Sequence, residues 1–172
     1  MFQENDLIVY GSTGVCRVKA IGALNNISAA KKDRLYYTLE PVYDKGTIYI
    51  PVDTKVFMRA VISREEADNL ISRIPQIREN NYEGQNLRLL SDQYEASLHT
   101  HNCEDLVQLI RTVYMRNKKA VQNGKKPAQT DERYMKRAKA LLHGELAAAL
   151  KIDYNDVERY IENRLDEQKK GA

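Results

Sequence analysis

His99, His101 and Cys103 alternate with Thr100 and Asn102, and all three are residue types that bind zinc. A structural zinc site takes four ligands in recognisable pairs. No second pair lies near this one, so the cluster reads as solvated loop polarity. His143 falls inside a helical stretch and reads as a partly exposed side chain. Gly11-Ser12-Thr13-Gly14 offers the small residues of a phosphate loop but lacks its spacing and its lysine. Gly124-Lys125-Lys126 follows no strand. The two cysteines, Cys16 and Cys103, fall in different halves of the chain, and no serine sits in a nucleophile elbow. The sequence therefore offers no catalytic residues, no metal site and no cofactor site, and the chain is not expected to be an enzyme.

Charge is more informative. Residues 111–143 hold ten basic and two acidic side chains, a local charge of +8, whereas the whole chain carries only +3. Clustered charge creates a field that scattered charge does not. At 100° per residue, Arg133, Lys136, Arg137 and Lys151 share one side of a helix. Tyr134, Ala138, Leu141, Leu142 and Ala149 share the other, with Lys139 on the flank. Arg111, Arg116, Lys118 and Lys119 precede them, and Lys125 and Lys126 lie between. Crowded like charges repel, so an anionic partner relieves a cost. DNA phosphates fit, because neutralising them releases counterions. A solvated face and an acidic protein partner are the alternatives that charge leaves open.

Two kinds of element must position these groups. Ile8 to Tyr10, Val15 to Ile21, Leu35 to Val42 and Thr47 to Val52 are rich in β-branched residues and tyrosine, and read as short antiparallel strands of a small barrel. Gly11 to Gly14 and Asp44-Lys45-Gly46 are the turns, and Asn25 to Lys32 is a loop. From residue 61 the period changes to that of helices. Ser63-Arg64-Glu65-Glu66 is a capping box, followed by Ala67, Leu70, Ile71 and Ile74, and Pro75 closes the element. Leu87, Leu90, Tyr94 and Leu98 form a second stripe. Leu106, Ile110, Val113 and Tyr114 form a third, behind an Asn102 cap. Thr130 is expected to cap the fourth helix and Asp153 the last. The fold class is α+β, a small β-barrel over residues 1–60 followed by about five helices over 61–172.

The composition, 42% hydrophobic and 30% charged, fits a folded chain. No apolar run approaches the roughly 20 residues that span a bilayer. The first ten residues carry acids where a signal peptide has a basic segment. A cytoplasmic protein, nucleoid-associated through its partner, is expected.

The ordered set of motifs resembles one family. Asn5-Asp6-Leu7-Ile8-Val9-Tyr10-Gly11-Ser12-Thr13-Gly14-Val15-Cys16-Arg17-Val18 is similar to the opening of the CarD/CdnL bacterial transcription regulators. Tyr36-Tyr37-Thr38-Leu39 and Ile48-Tyr49-Ile50-Pro51-Val52 continue the likeness. Arg137-Ala138-Lys139 and Leu141-Leu142-His143-Gly144-Glu145-Leu146 resemble the family's late helix. The resemblance implies a Tudor-like domain, shared with transcription-repair coupling factors, that binds the RNA polymerase β subunit. It also implies a helical domain at the upstream edge of the promoter bubble, stabilising the open promoter complex. The polymerase contact maps near Leu24 and at Tyr49, where relatives often carry arginines. Tyr49 is either an interface anchor or simply an outward strand residue.

Relatives often place a tryptophan wedge in the helical domain, and this chain has no tryptophan. Leu90 stands at that position and either wedges a base step or is buried in its own helix's stripe. Arg88 beside it either reaches a phosphate or is solvated. With Arg116, Arg133, Lys136, Arg137 and Lys139 these form the expected DNA-binding set, with little intrinsic sequence specificity because phosphate contacts carry none. An architectural DNA-binding protein acting without polymerase is the alternative. Neither a membrane nor a small-molecule substrate is expected as a partner.

Overall fold

The computed structural model describes residues 1–171, and the chain divides into two compact units that meet between Ile62 and Ser63.

In the first unit, β1 (Leu7–Tyr10), β2 (Gly14–Gly22), β3 (Tyr36–Pro41), β4 (Ile48–Pro51) and β5 (Met58–Ala60) form one antiparallel sheet in the order β4-β3-β2-β1-β5. The β1–β2 turn closes with the Thr13 N–H donating to the Tyr10 carbonyl at 3.0 Å. Gly11 adopts φ +44°, and a Cβ there would meet Val56 Cγ1 at 3.2 Å. Both the left-handed backbone and the close approach favour glycine. Ile8, Cys16, Val18, Tyr37 and Leu39 form the core. Ile48 and Ile50 from one edge strand and Met58 from the other pack on that same cluster, so the sheet curls around a single core. Burial pushes the Cys16 thiol up to about 11, leaving it an unreactive small hydrophobe. Strand β5 adds to the strands expected from the sequence, since three residues, Met58-Arg59-Ala60, are too few to show alternation.

The second unit holds, among the described residues, five α-helices: α1 (Arg64–Arg73), α2 (Leu87–His99), α3 (Cys103–Gln122), α4 (Gln129–Leu150) and α5 (Val157–Lys170). The capping box at α1 forms, with Ser63 Oγ accepting from the Glu66 N–H at 3.0 Å and Glu66 Oε2 accepting from the Ser63 N–H at 2.6 Å. Asn86 and Asn102 cap α2 and α3. The expected cap at Thr130 does not form. Helix α4 starts two residues earlier behind an extended Ala128, with no side-chain cap, so Thr130 lies inside its first turn. Asp153 caps a short 3-10 turn at Tyr154–Asp156 that leads into α5. Helices α3 and α4 run antiparallel, as Arg116 meets Asp131 at one end and Cys103 meets Glu145 at the other. Among the described residues no helix is long and apolar enough to cross a membrane.

Candidate functional site

On the first unit, β4 pairs among the described residues only with β3, so its outer side presents backbone groups with no strand partner. Alternation turns Ile48 and Ile50 to the core and Tyr49 outward, where it is 46% exposed. The register sets Tyr49 opposite Thr38 and Thr38 opposite Ala20. Small neighbours in that row leave the tyrosine ring uncovered. Leu24 is half-buried, two residues past the end of β2. Because Gly22 pairs with Tyr36 and Tyr36 with Pro51, Leu24 and Tyr49 belong to the same end of the sheet. Pro51 lacks an N–H and closes β4 as a ladder.

The second unit sorts the expected basic face into groups with different environments. Arg133 and Lys136 are exposed on α4, and Arg88 is exposed in the first turn of α2. Among the described residues these three carry no ion pair. Arg133 and Arg137 both lie over the Tyr134 ring, at 5.3 and 5.4 Å from its centroid. Arg137 Nη1 and the Tyr134 hydroxyl both donate to Glu95 Oε1 of α2 at 2.8 Å. The Arg137 guanidinium holds the Glu95 carboxyl below its ordinary value, with Tyr134 assisting against partial burial. Lys139 turns to α5, 3.7 Å from Glu158. These pairs are partly open to solvent, where such contacts are weak.

Arg116 has a buried partner that charge alone does not reveal, and Leu90 takes the buried one of its two expected places. Arg116 Nε donates to Asp131 Oδ2 at 3.0 Å, and Asp131, 2% exposed, also accepts from the Tyr94 hydroxyl at 2.8 Å. Arg116 neutralises a buried carboxylate through its Nε. Burial, followed by the Asp131 hydrogen bond, raises the Tyr94 hydroxyl well above its ordinary value. Leu90 is 3% exposed in the stripe with Tyr94 and Leu98, so it packs in the core and cannot wedge a base step. Its neighbours Leu87, 61% exposed, and Leu89 face solvent on either side of Arg88. Their position directly behind the Asn86 cap is a sequence signal, because apolar residues in the first turn of a helix can extend past the core.

The zinc-like trio does not converge. His99 Nδ1 is bonded to the Glu95 carbonyl at 2.7 Å, and Cys103 is buried against Glu145. Among the described residues no group of three or more His, Cys, Asp or Glu could hold a metal.

With this geometry in view, residues 2–62 match the family model of the CarD-like/TRCF RID domain. The N-terminal unit is a CarD-like/TRCF RID domain. The match covers the whole sheet, from Phe2 before β1 to Ile62 after β5. No curated protein matches the chain closely enough to add a relative to this comparison. The RID domain is a protein-interaction module, it interacts with RNA polymerase, and it gives the chain a role in transcription. The exposed edge and Tyr49 belong to this RID domain, and the basic helical unit follows it.

Proposed function

We infer that the chain is a transcription regulator that holds the RNA polymerase β subunit with its RID domain and promoter DNA with its helical unit. The observation that carries this reading is an RID domain whose edge strand β4 has no strand partner on its outer side and bears the outward, half-exposed Tyr49. An unpaired edge can extend a sheet on a partner, and a tyrosine can anchor the contact through area and its hydroxyl. Leu24, at the same end of the sheet, would add apolar contact. In the helical unit, Arg133, Lys136 and Arg88 would hold the DNA backbone, with Arg137 and Lys139 recruited by exchange of their exposed pairs. The exposed Leu87 and Leu89, in place of the buried Leu90, would supply apolar contact at the upstream edge of the bubble.

Two modest contacts held by one chain raise each other's effective concentration. Melting is favoured only if the DNA contact is better in the open state than in the closed one. The test is the lifetime of open promoter complexes with the full chain and with Tyr49→Ala. Tyr49→Ala should weaken polymerase binding and shorten the lifetime together. DNA binding with no polymerase binding by the wild-type chain would instead make it an architectural DNA-binding protein.

A further inference from the structure

Residues 77–86, between α1 and α2, lie as a strap along one face of α3. Gln108 Nε2 donates to the Arg78 carbonyl at 3.1 Å, the Asn80 N–H donates to Thr112 Oγ1 at 2.9 Å, and Glu83 is ion-paired with Lys119. Positions 108, 112 and 119 fall within about 40° of one another around the helix, so the strap follows α3 for about 16 Å. Glu79 reaches the flanking Arg111 at 3.9 Å.

The strap's contacts are of two kinds. The Asn80–Thr112 bond is shielded, and Tyr82 sets its ring edge-on against the buried Tyr94 at 6.1 Å. These hold the backbone in place. The Glu83–Lys119 contact faces solvent, and the Glu79–Arg111 contact is partly exposed, with Arg111 Nη1 also donating to the Ile74 carbonyl at 3.4 Å; pairs of this kind are weak and screened by salt. The strap is thus anchored by its backbone and a ring, while its two carboxylates are free to exchange. Between the strap and the α3–α4 turn lies a cavity of about 1060 Å³, bordered by Glu83, Lys119, Lys125 and Lys126. Lys125 and Lys126 are exposed.

We propose that Glu79 and Glu83 act as an internal competitor for phosphate, covering a second DNA-backbone-binding row on α3 made by Arg111 and Lys119. Each carboxylate occupies a cation that would otherwise meet an outside anion. DNA engaging the α4 face would displace the acids, and the strap backbone would stay anchored at Thr112. This inference rests on the DNA-binding reading above.

The test titrates the full chain against a duplex with a premelted segment, from about 50 to 200 mM salt. Glu79→Gln with Glu83→Gln keeps side-chain shape at two exposed positions. It should bind about three- to tenfold more tightly at the low-salt end. Its log–log salt slope should steepen by about 0.9 for each phosphate gained. Adding Lys119→Gln should remove most of the gain. Glu162→Gln with Asp166→Asn, two exposed acids on α5, matches the change in net charge and should leave the slope alone. An unchanged slope in the strap variant, while Arg133→Glu weakens binding, would overturn the proposal and leave the DNA reading standing. An equal gain from the α5 variant would also overturn it, as a net-charge effect. No DNA binding by wild type or strap variant would remove both.

Discussion

Arg116 and Asp131 are joined across the α3–α4 hairpin by an Nε–Oδ2 hydrogen bond of 3.0 Å, with the carboxylate almost wholly out of water. A buried carboxylate that loses its cation is left uncompensated, and breaking such pairs costs about 3–5 kcal/mol. Arg116→Met should therefore lower the stability of the helical unit by about 3 kcal/mol in urea unfolding. Asp131→Asn should lower it less, because no charge stays buried. Equal, small effects in both variants would show that the pair is not a structural support.

Leu90 and Leu87 separate packing from contact. Leu90→Ala should destabilise the protein by about 2–5 kcal/mol, as truncation of a core leucine does. Leu87→Ala should stay within about 0.5 kcal/mol of wild type, as exposed positions do. Only Leu87→Ala, read at matched folded fraction, should shorten open-complex lifetime.

Arg133→Glu with Lys136→Glu removes two cations that hold no ion pair among the described residues. Polymerase binding should be unchanged while the salt slope of DNA binding becomes shallower by about 0.9 per lost phosphate. Arg137→Ala should combine a DNA effect with a stability loss of up to about 1 kcal/mol, because Glu95 and Tyr134 lose a partner. A double variant with wild-type DNA affinity would move the interface off α4.

His143 gives a pH prediction. Burial depresses its imidazole, outweighing Glu158, which raises it, while Lys139 lowers it further. The neutral ring is the form the fold accepts. Its stability contribution is complete above the ordinary histidine value of about 6.5 and declines as pH falls from there to the lower folded value. The melting temperature of wild type should thus drop more between pH 7 and pH 5 than that of His143→Asn. Parallel curves would show that the ring titrates as in water.

Where local chemistry decides structure, the sequence could be read. Ser63 with Glu66, Asn102 before α3 and Gly11 to Gly14 between β1 and β2 depend on residues within four positions of one another. Where partners are distant, it could not. The commitment of Arg116 depends on Asp131, Tyr94 and a helix hairpin, and charge clustering alone made it look like its exposed neighbours. Helical periodicity did place Leu90 in a stripe with Tyr94 and Leu98, and burial followed the stripe. Leu87 shared the period but not the burial, because the first turn of α2 extends past the core. The segment from Ile77 to Gly84 reads as a polar loop in the sequence, and its path along α3 is not legible there because polar residues between helices carry no period.

The α3–α4 hairpin carries a buried acid near each end, Asp131 with Arg116 and Glu145 with Cys103. Sliding one helix past the other by a turn would strand both acids at once, so the apolar stripes are not free to settle in a neighbouring alignment. Those two acids act as dowels. They fix the rotational phase of α4, and with it the direction in which Arg133 and Lys136 point.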